Sequence, residues 1–512
     1  MKHNFASIKT NLNISHISFG VFSLFVCVLS FFTLMSYPGH AIVYTIFTLA
    51  LNTLFVCGFT KRKIFFDTFM GVFFWLGFWL KFSVRVAFMG GKFQAAEQIG
   101  EFTGSGADYD RALLVSACGV TALLIARFIR SKFLFTYADV NKQVRLEGAF
   151  ALYRNHRRIV LVSFVTLFVV ITVANVAFGI YQRGSVPRAI LPFGLSGVCA
   201  WLLLFGLASF SAVILDCEFR LKSAPYLVTI ISFLESFFSN VSMLSRGMIL
   251  NGGSLVLGLI ENAKRRCFGA RLRYKIVIPI LFLALFASSV FAVNHLRKNL
   301  FYYNFATPTS ISKSFIFKSL FASLSIDMDS PAVRFVVEGL TDLEVLLLDR
   351  WTGIEGAMAV SSYSGLGWDL WKTAWQERYS HSGTSMYDVK ILRSPFADMS
   401  EHHFISLPGI VAFFYYPGSY VFLFFSMLLL GLFGAGIEIL TFKFSGGNII
   451  LCSLIAQVVA YRYASFGYVP YQSYLLFGSI FLNVLIIYCS DRLLLYFNKT
   501  KGQIYQSETY TG

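Results

Sequence analysis

Residues 159–180 read IVLVSFVTLFVVITVANVAFGI, a run without one charged side chain. At about 1.5 Å of rise per residue, a helix of this length crosses the ~30 Å of hydrocarbon in a bilayer. Its Val and Ile content would suit a strand in water. In lipid, however, every backbone N–H and C=O needs a partner, and the short alternating segments of a closed barrel are missing here. The run therefore predicts a membrane-spanning helix. Similar runs recur at 16–36, 40–60, 64–88, 111–130, 190–215, 224–243, 247–262, 275–293, 409–441, 447–465 and 469–490. Composition agrees, with 56% hydrophobic and 13% charged residues in 512. The expected fold is all-α and polytopic, with about 12 transmembrane helices.

Charge then orients the spans. The net charge of +17 could indicate nucleic acid, but the basic residues cluster in short loops between spans. Twelve spans put both termini on one side, with the loops holding Lys61-Arg62-Lys63, Arg127 to Arg158, Arg220 and Lys222, Lys264 to Lys275, and Lys443. Together these segments hold 25 of the 43 Lys and Arg residues. The other side carries Glu97, Glu101, Asp108 and Asp110, and one long insert with twelve acidic against ten basic residues. By the positive-inside rule both termini are cytoplasmic and the insert faces outward. The least regular crossing is 247–262, which is short and contains Asn251-Gly252-Gly253.

The organisation that follows is an N-terminal bundle of about nine spans (1–293), a periplasmic loop (294–408), a C-terminal bundle of about three spans (409–495) and a cytoplasmic tail (496–512). Within the loop, Ser330-Pro331 resembles a helix start, and Leu340–Leu348 continues the pattern. Thr352 and Gly367 read as breaks before two short helices, so the loop is expected to be a small, mostly helical cap. None of the eight cysteines lies in it, which leaves no disulfide framework and no CxxC metal pattern. No nucleotide-binding or zinc-protease signature occurs, so no cofactor and no metal are expected.

The residues able to do chemistry lie on the outward side. Ser245-Arg246-Gly247 places an arginine at a span end, where it either meets an anionic partner or snorkels to the interface. The segment from Leu348 to Gly356 combines Asp349, Arg350 and Glu355. Arg350 suits a phosphate, and either carboxylate suits a general base; an ordinary helix junction with an Asp–Arg pair is the other reading. His402 and His403 precede the return to the membrane, as a base, a phosphate donor or interface hydrogen-bonding groups. Arg85, Arg188 and Arg462 complete an outward basic set that fits an anionic, membrane-embedded substrate. Asp67 and Glu235 sit within spans and are expected to pair with arginines.

This arrangement resembles the Wzy-type O-antigen polymerases, which share an architecture with the O-antigen ligases and the GT-C glycosyltransferases. The resemblance covers most of the chain in architecture. Its specific content is Ser245-Arg246-Gly247, the Arg350 segment, and His402-His403 leading into Leu407-Pro408-Gly409. It implies an enzyme of the bacterial inner membrane that polymerises undecaprenyl-pyrophosphate-linked repeat units, without nucleotide or metal. Arg246 and Arg350 would hold pyrophosphate, with Arg462, Arg188 and Arg85 as helpers. His403, His402, Asp349 and Glu355 are the base candidates. The implied partners are the lipid-linked glycan as donor and acceptor, membrane lipids and a chain-length regulator protein, with no nucleic acid. The alternatives are the related O-antigen ligase, or a polytopic transporter or lipid flippase.

Overall fold

A computed structural model describes residues 2–59, 64–91, 93, 99–133, 145–184, 187–221, 225–265, 272–302, 340, 343–344, 346–378, 385–393 and 406–509. Among them the fold is helical, with a single isolated β-bridge between Ile99 and Phe102. In chain order the helices are α1 (Lys2–Ser36), α2 (Ala41–Gly58), α3 (Phe65–Phe88), α4 (Gly106–Phe133), α5 (Glu147–Phe178) and α6 (Pro192–Arg220). There follow α7 (Tyr226–Ser242), α8 (Met248–Arg265), α9 (Leu272–Tyr302), α10 (Ile354–Ser361), α11 (Trp368–Trp375), α12 (Ile410–Phe414), α13 (Tyr420–Phe444), α14 (Ile449–Ala464) and α15 (Ser473–Thr509).

Among the described residues nine helices are long and apolar enough to cross a membrane. The other three expected spans are helical but differ in kind. Helices α7 and α14 are apolar yet have only 17 and 16 residues. Helix α8 carries Glu261, Lys264 and Arg265, which lower its hydropathy. Shortness is tolerable for α14 because thirteen of its residues are buried, so protein rather than lipid surrounds it. Its start is fixed by Asn448, whose side chain accepts from the amides of Ile450 and Leu451, both at 3.0 Å.

Small residues let the helices approach. A Cβ on Gly258 would lie 2.8 Å from Ile450 Cα, and one on Gly434 would lie 2.4 Å from the Phe66 ring. Such contacts hold α8 to α14 and α13 to α3 without a hydrophobic driving force between helices. Asp67 pairs with Arg130, and with Arg127 at 3.4 Å, at the base of α3, as expected from its place in a span. Glu235 does not pair with an arginine among the described residues; it accepts from Ser239 Oγ at 2.9 Å. Both sit on α7, one turn apart, so the partner is local.

Of the described part of the 294–408 insert, the segment around α10 lies inside the bundle, whereas α11 is largely exposed. The two short helices expected after Thr352 and Gly367 are α10 and α11. All of α10 is buried except the half-buried Glu355. It packs against α4, α12 and the π-helical turn Trp75–Leu80 of α3. Backbones touch there: a Cβ on Gly77 would meet Thr352 O at 2.4 Å, and one on Gly353 would meet Gly77 O at 2.6 Å. The segment is therefore part of the hydrophobic core rather than a cap resting on it. The expected helix start at Ser330-Pro331 lies outside the described residues.

Candidate functional site

Four chain segments end at one level and bring arginines together. The first is the loop after α5. Gly179 takes the left-handed conformation at φ 58° that ends the helix. Buried Asn175 then staples the loop: its Nδ2 donates to the carbonyls of Tyr181 and Ser242, each at 3.0 Å, and its Oδ1 accepts from Tyr181 N at 2.8 Å. Arg183 follows, its amide donating to Met243 O at 2.9 Å.

The second segment is the tight turn between α7 and α8. Leu244 occupies the left-handed region at φ 51°, and Ser245 N donates to Asn240 O at 2.8 Å. This aims Arg246 toward Arg183. From the third segment, α9, Arg297 clamps the first two: its Nε donates to Leu244 O at 2.9 Å and its Nη2 to Arg183 O at 3.0 Å.

The fourth is the segment just before α10, carrying Arg350 and Trp351. It is bolted to α3 by two cations on one helix face, since residues four apart share a side. Lys81 Nζ, 1% exposed, donates to Glu355 Oε2 at 2.6 Å, to Asp349 O at 3.1 Å and to Trp351 O at 3.4 Å. Arg85 pairs with the Asp349 carboxylate. Burial pushes the Glu355 carboxyl up, with Lys81 acting against it. The Trp351 ring stacks on Phe73, centroids 5.4 Å apart.

Together with Tyr461 of α14 these segments line a small cleft, part of it open to solvent, walled by Arg183, Arg246, Arg350, Trp351 and Tyr461. Arg297 stands within electrostatic reach of the three arginines, and Tyr461 within reach of Arg183 and Arg350. Among the described residues that line the cleft there is no carboxylate. Like charges gathered in a partly buried site repel one another, so the cluster favours an oxyanion. Guanidinium forks match phosphate oxygens in geometry as well as charge.

Of the expected residues, Arg246 and Arg350 meet here. Arg85 holds Asp349 and does not line the cleft. Arg188 is exposed and lies over Gly179, where a Cβ would come within 3.0 Å of its Cγ and Cδ. Arg462 turns away, donating to Ser473 Oγ at 3.4 Å with its guanidinium 5.6 Å from the Phe466 ring centroid. Asp349 and Glu355 each hold a cation of α3. His402 and His403 lie outside the described residues. Sequence reasoning missed Arg183, Arg297, Trp351 and Tyr461. The available signal was that Arg183 and Arg297 are basic residues on the acidic side of a twelve-span topology. Comparison of the chain with protein-family models, with curated proteins and with solved structures finds no match.

Proposed function

We propose that this protein is a membrane glycosyltransferase that polymerises undecaprenyl-pyrophosphate-linked oligosaccharide repeat units, in the manner of an O-antigen polymerase. The observation that carries the reading is the arginine cleft: Arg183, Arg246 and Arg350 line it, Arg297 stands within electrostatic reach of all three, and no carboxylate is among the described residues that line it. A diphosphate carried on a lipid has the charge and the position to fill it. In this reading twelve helices cross the inner membrane, both termini are cytoplasmic, and the cleft opens to the periplasm.

The chemistry follows from the charge. The bond between the donor sugar's anomeric carbon and the pyrophosphate oxygen breaks, and a bond to the acceptor hydroxyl oxygen forms. The electron pair leaves with the lipid pyrophosphate, and the arginines stabilise that growing negative charge. The acceptor proton passes to a base. The side chains of Asp349 and Glu355 are engaged with Arg85 and Lys81, so His403 or His402 is the base this reading favours.

Deleting the gene tests it. A polymerase leaves lipopolysaccharide carrying a single O-unit on the core. Core without any O-unit indicates the ligase instead, and unchanged long chains overturn both enzyme readings.

A further inference from the structure

We infer that Trp351 is a substrate-binding residue whose indole N–H donates a hydrogen bond to the diphosphate held by the arginine cleft. The inference rests on the cleft reading above and adds a neutral, directional donor to it. Trp351 lines the cleft and is only 7% exposed. Its Nε1 is buried and has no acceptor among the described residues. A buried donor left unsatisfied is costly, and such groups in folded proteins call for a specific explanation.

Packing alone does not explain this tryptophan. A phenylalanine would keep the stack on Phe73 without bringing an orphan N–H into the interior. The residue is also held from three sides. Phe73 covers its face, Lys81 Nζ holds its carbonyl at 3.4 Å, and the close Gly77–Gly353 backbone contact fixes the chain beside it. A donor fixed in advance loses little entropy when a ligand arrives. The ligand chemistry is constrained too. Arginines supply charge over a broad range of angles, whereas one rigid N–H selects the position of a single oxygen. An oxyanion with several oxygens, such as a diphosphate, satisfies both demands. Free pyrophosphate and a lipid-borne diphosphate ester share that chemistry.

The test uses the full-length protein in detergent micelles, titrated separately with inorganic pyrophosphate and with farnesyl diphosphate. Wild type is expected to bind, and Trp351→Phe to bind about tenfold more weakly, as for the loss of one hydrogen bond to a charged group. Tighter binding of farnesyl diphosphate than of pyrophosphate assigns the site to a lipid-borne ligand; equal binding assigns it to the free anion. If the variant does not fold, the wild type decides through its indole ¹⁵N–¹H resonances, seven for seven tryptophans. One of them should move downfield on titration. A Trp351→Phe protein that binds as tightly as wild type overturns the role of Trp351 and leaves the cleft reading intact, as does a full set of unmoved indole resonances under saturation. A wild type that binds neither probe overturns both.

Discussion

Lys81 and Glu355 are 274 positions apart in sequence, yet Nζ and Oε2 meet at 2.6 Å with the lysine almost fully buried. This ion pair ties the start of α10 to α3, and so sets where Arg350 and Trp351 stand. Removing one partner of a buried pair leaves an uncompensated charge, at a cost of roughly 3–5 kcal/mol. Lys81→Met should therefore lower the thermal unfolding midpoint in detergent sharply. The double variant Lys81→Met, Glu355→Leu should recover much of the loss. Equal stabilities of wild type and Lys81→Met would show that the pair does not hold the segment.

Arg183, Arg246 and Arg350 should each be needed for polymer formation. Single alanine variants are expected to lose on the order of 100-fold in chain extension, as for other preorganised charge-stabilising groups. Extension assays on membranes matched for protein amount check this.

Arg188 and Arg462 make the opposite case. Both were plausible anion ligands by position, and both point elsewhere. Arg188→Ala and Arg462→Ala should retain extension within a few-fold of wild type. A loss as deep as that of Arg350→Ala would mean the site extends beyond the cleft.

The staple at Asn175 links stability to the site. Its amide makes three backbone hydrogen bonds that fix the loop holding Arg183. Asn175→Ala leaves buried carbonyls unsatisfied, at about 1–3 kcal/mol each. It should lower both the unfolding midpoint and activity.

The loop between α3 and α4 supplies a pH dependence. Glu101 accepts from Ser364 N at 2.7 Å and pairs with Arg393 at 2.6 Å. The Ser364 amide, aided by Arg393, holds the Glu101 carboxyl below its ordinary value of 4.5. A carboxylate with a lowered folded pKa adds stability that is fully present above 4.5 and disappears as pH falls through the folded value. The difference in unfolding midpoint between wild type and Glu101→Gln should be constant near neutral pH and shrink below about pH 4.5. A difference that grows on acidification would contradict this sign.

Much of the architecture is legible because lipid imposes it. A run such as 159–180 has one stable option, and it forms α5. Helix α14 is legible as apolar, but its shortness makes sense only once neighbours surround it. The meeting of Arg246 and Arg350 was readable from charge on an acidic side. The choice between Tyr461 and Arg462 was not. Adjacent residues on a helix point about 100° apart, and the rotation of α14 is set by packing against α3 and α8. Arg183 depends on Asn175 and Met243, contacts that exist only in three dimensions. The burial of α10 was hidden as well, because its short apolar run reads equally well as a surface cap.

The central claim is that the arginine cleft holds the diphosphate of a lipid-linked repeat unit while chains grow. Its most direct test incubates purified protein, in proteoliposomes, with undecaprenyl-pyrophosphate-linked repeat units and reads product length by gel and mass spectrometry. The account predicts a ladder of multimers from wild type and single units only from Arg246→Ala and Arg350→Ala. Multimers of normal length from both variants would contradict it.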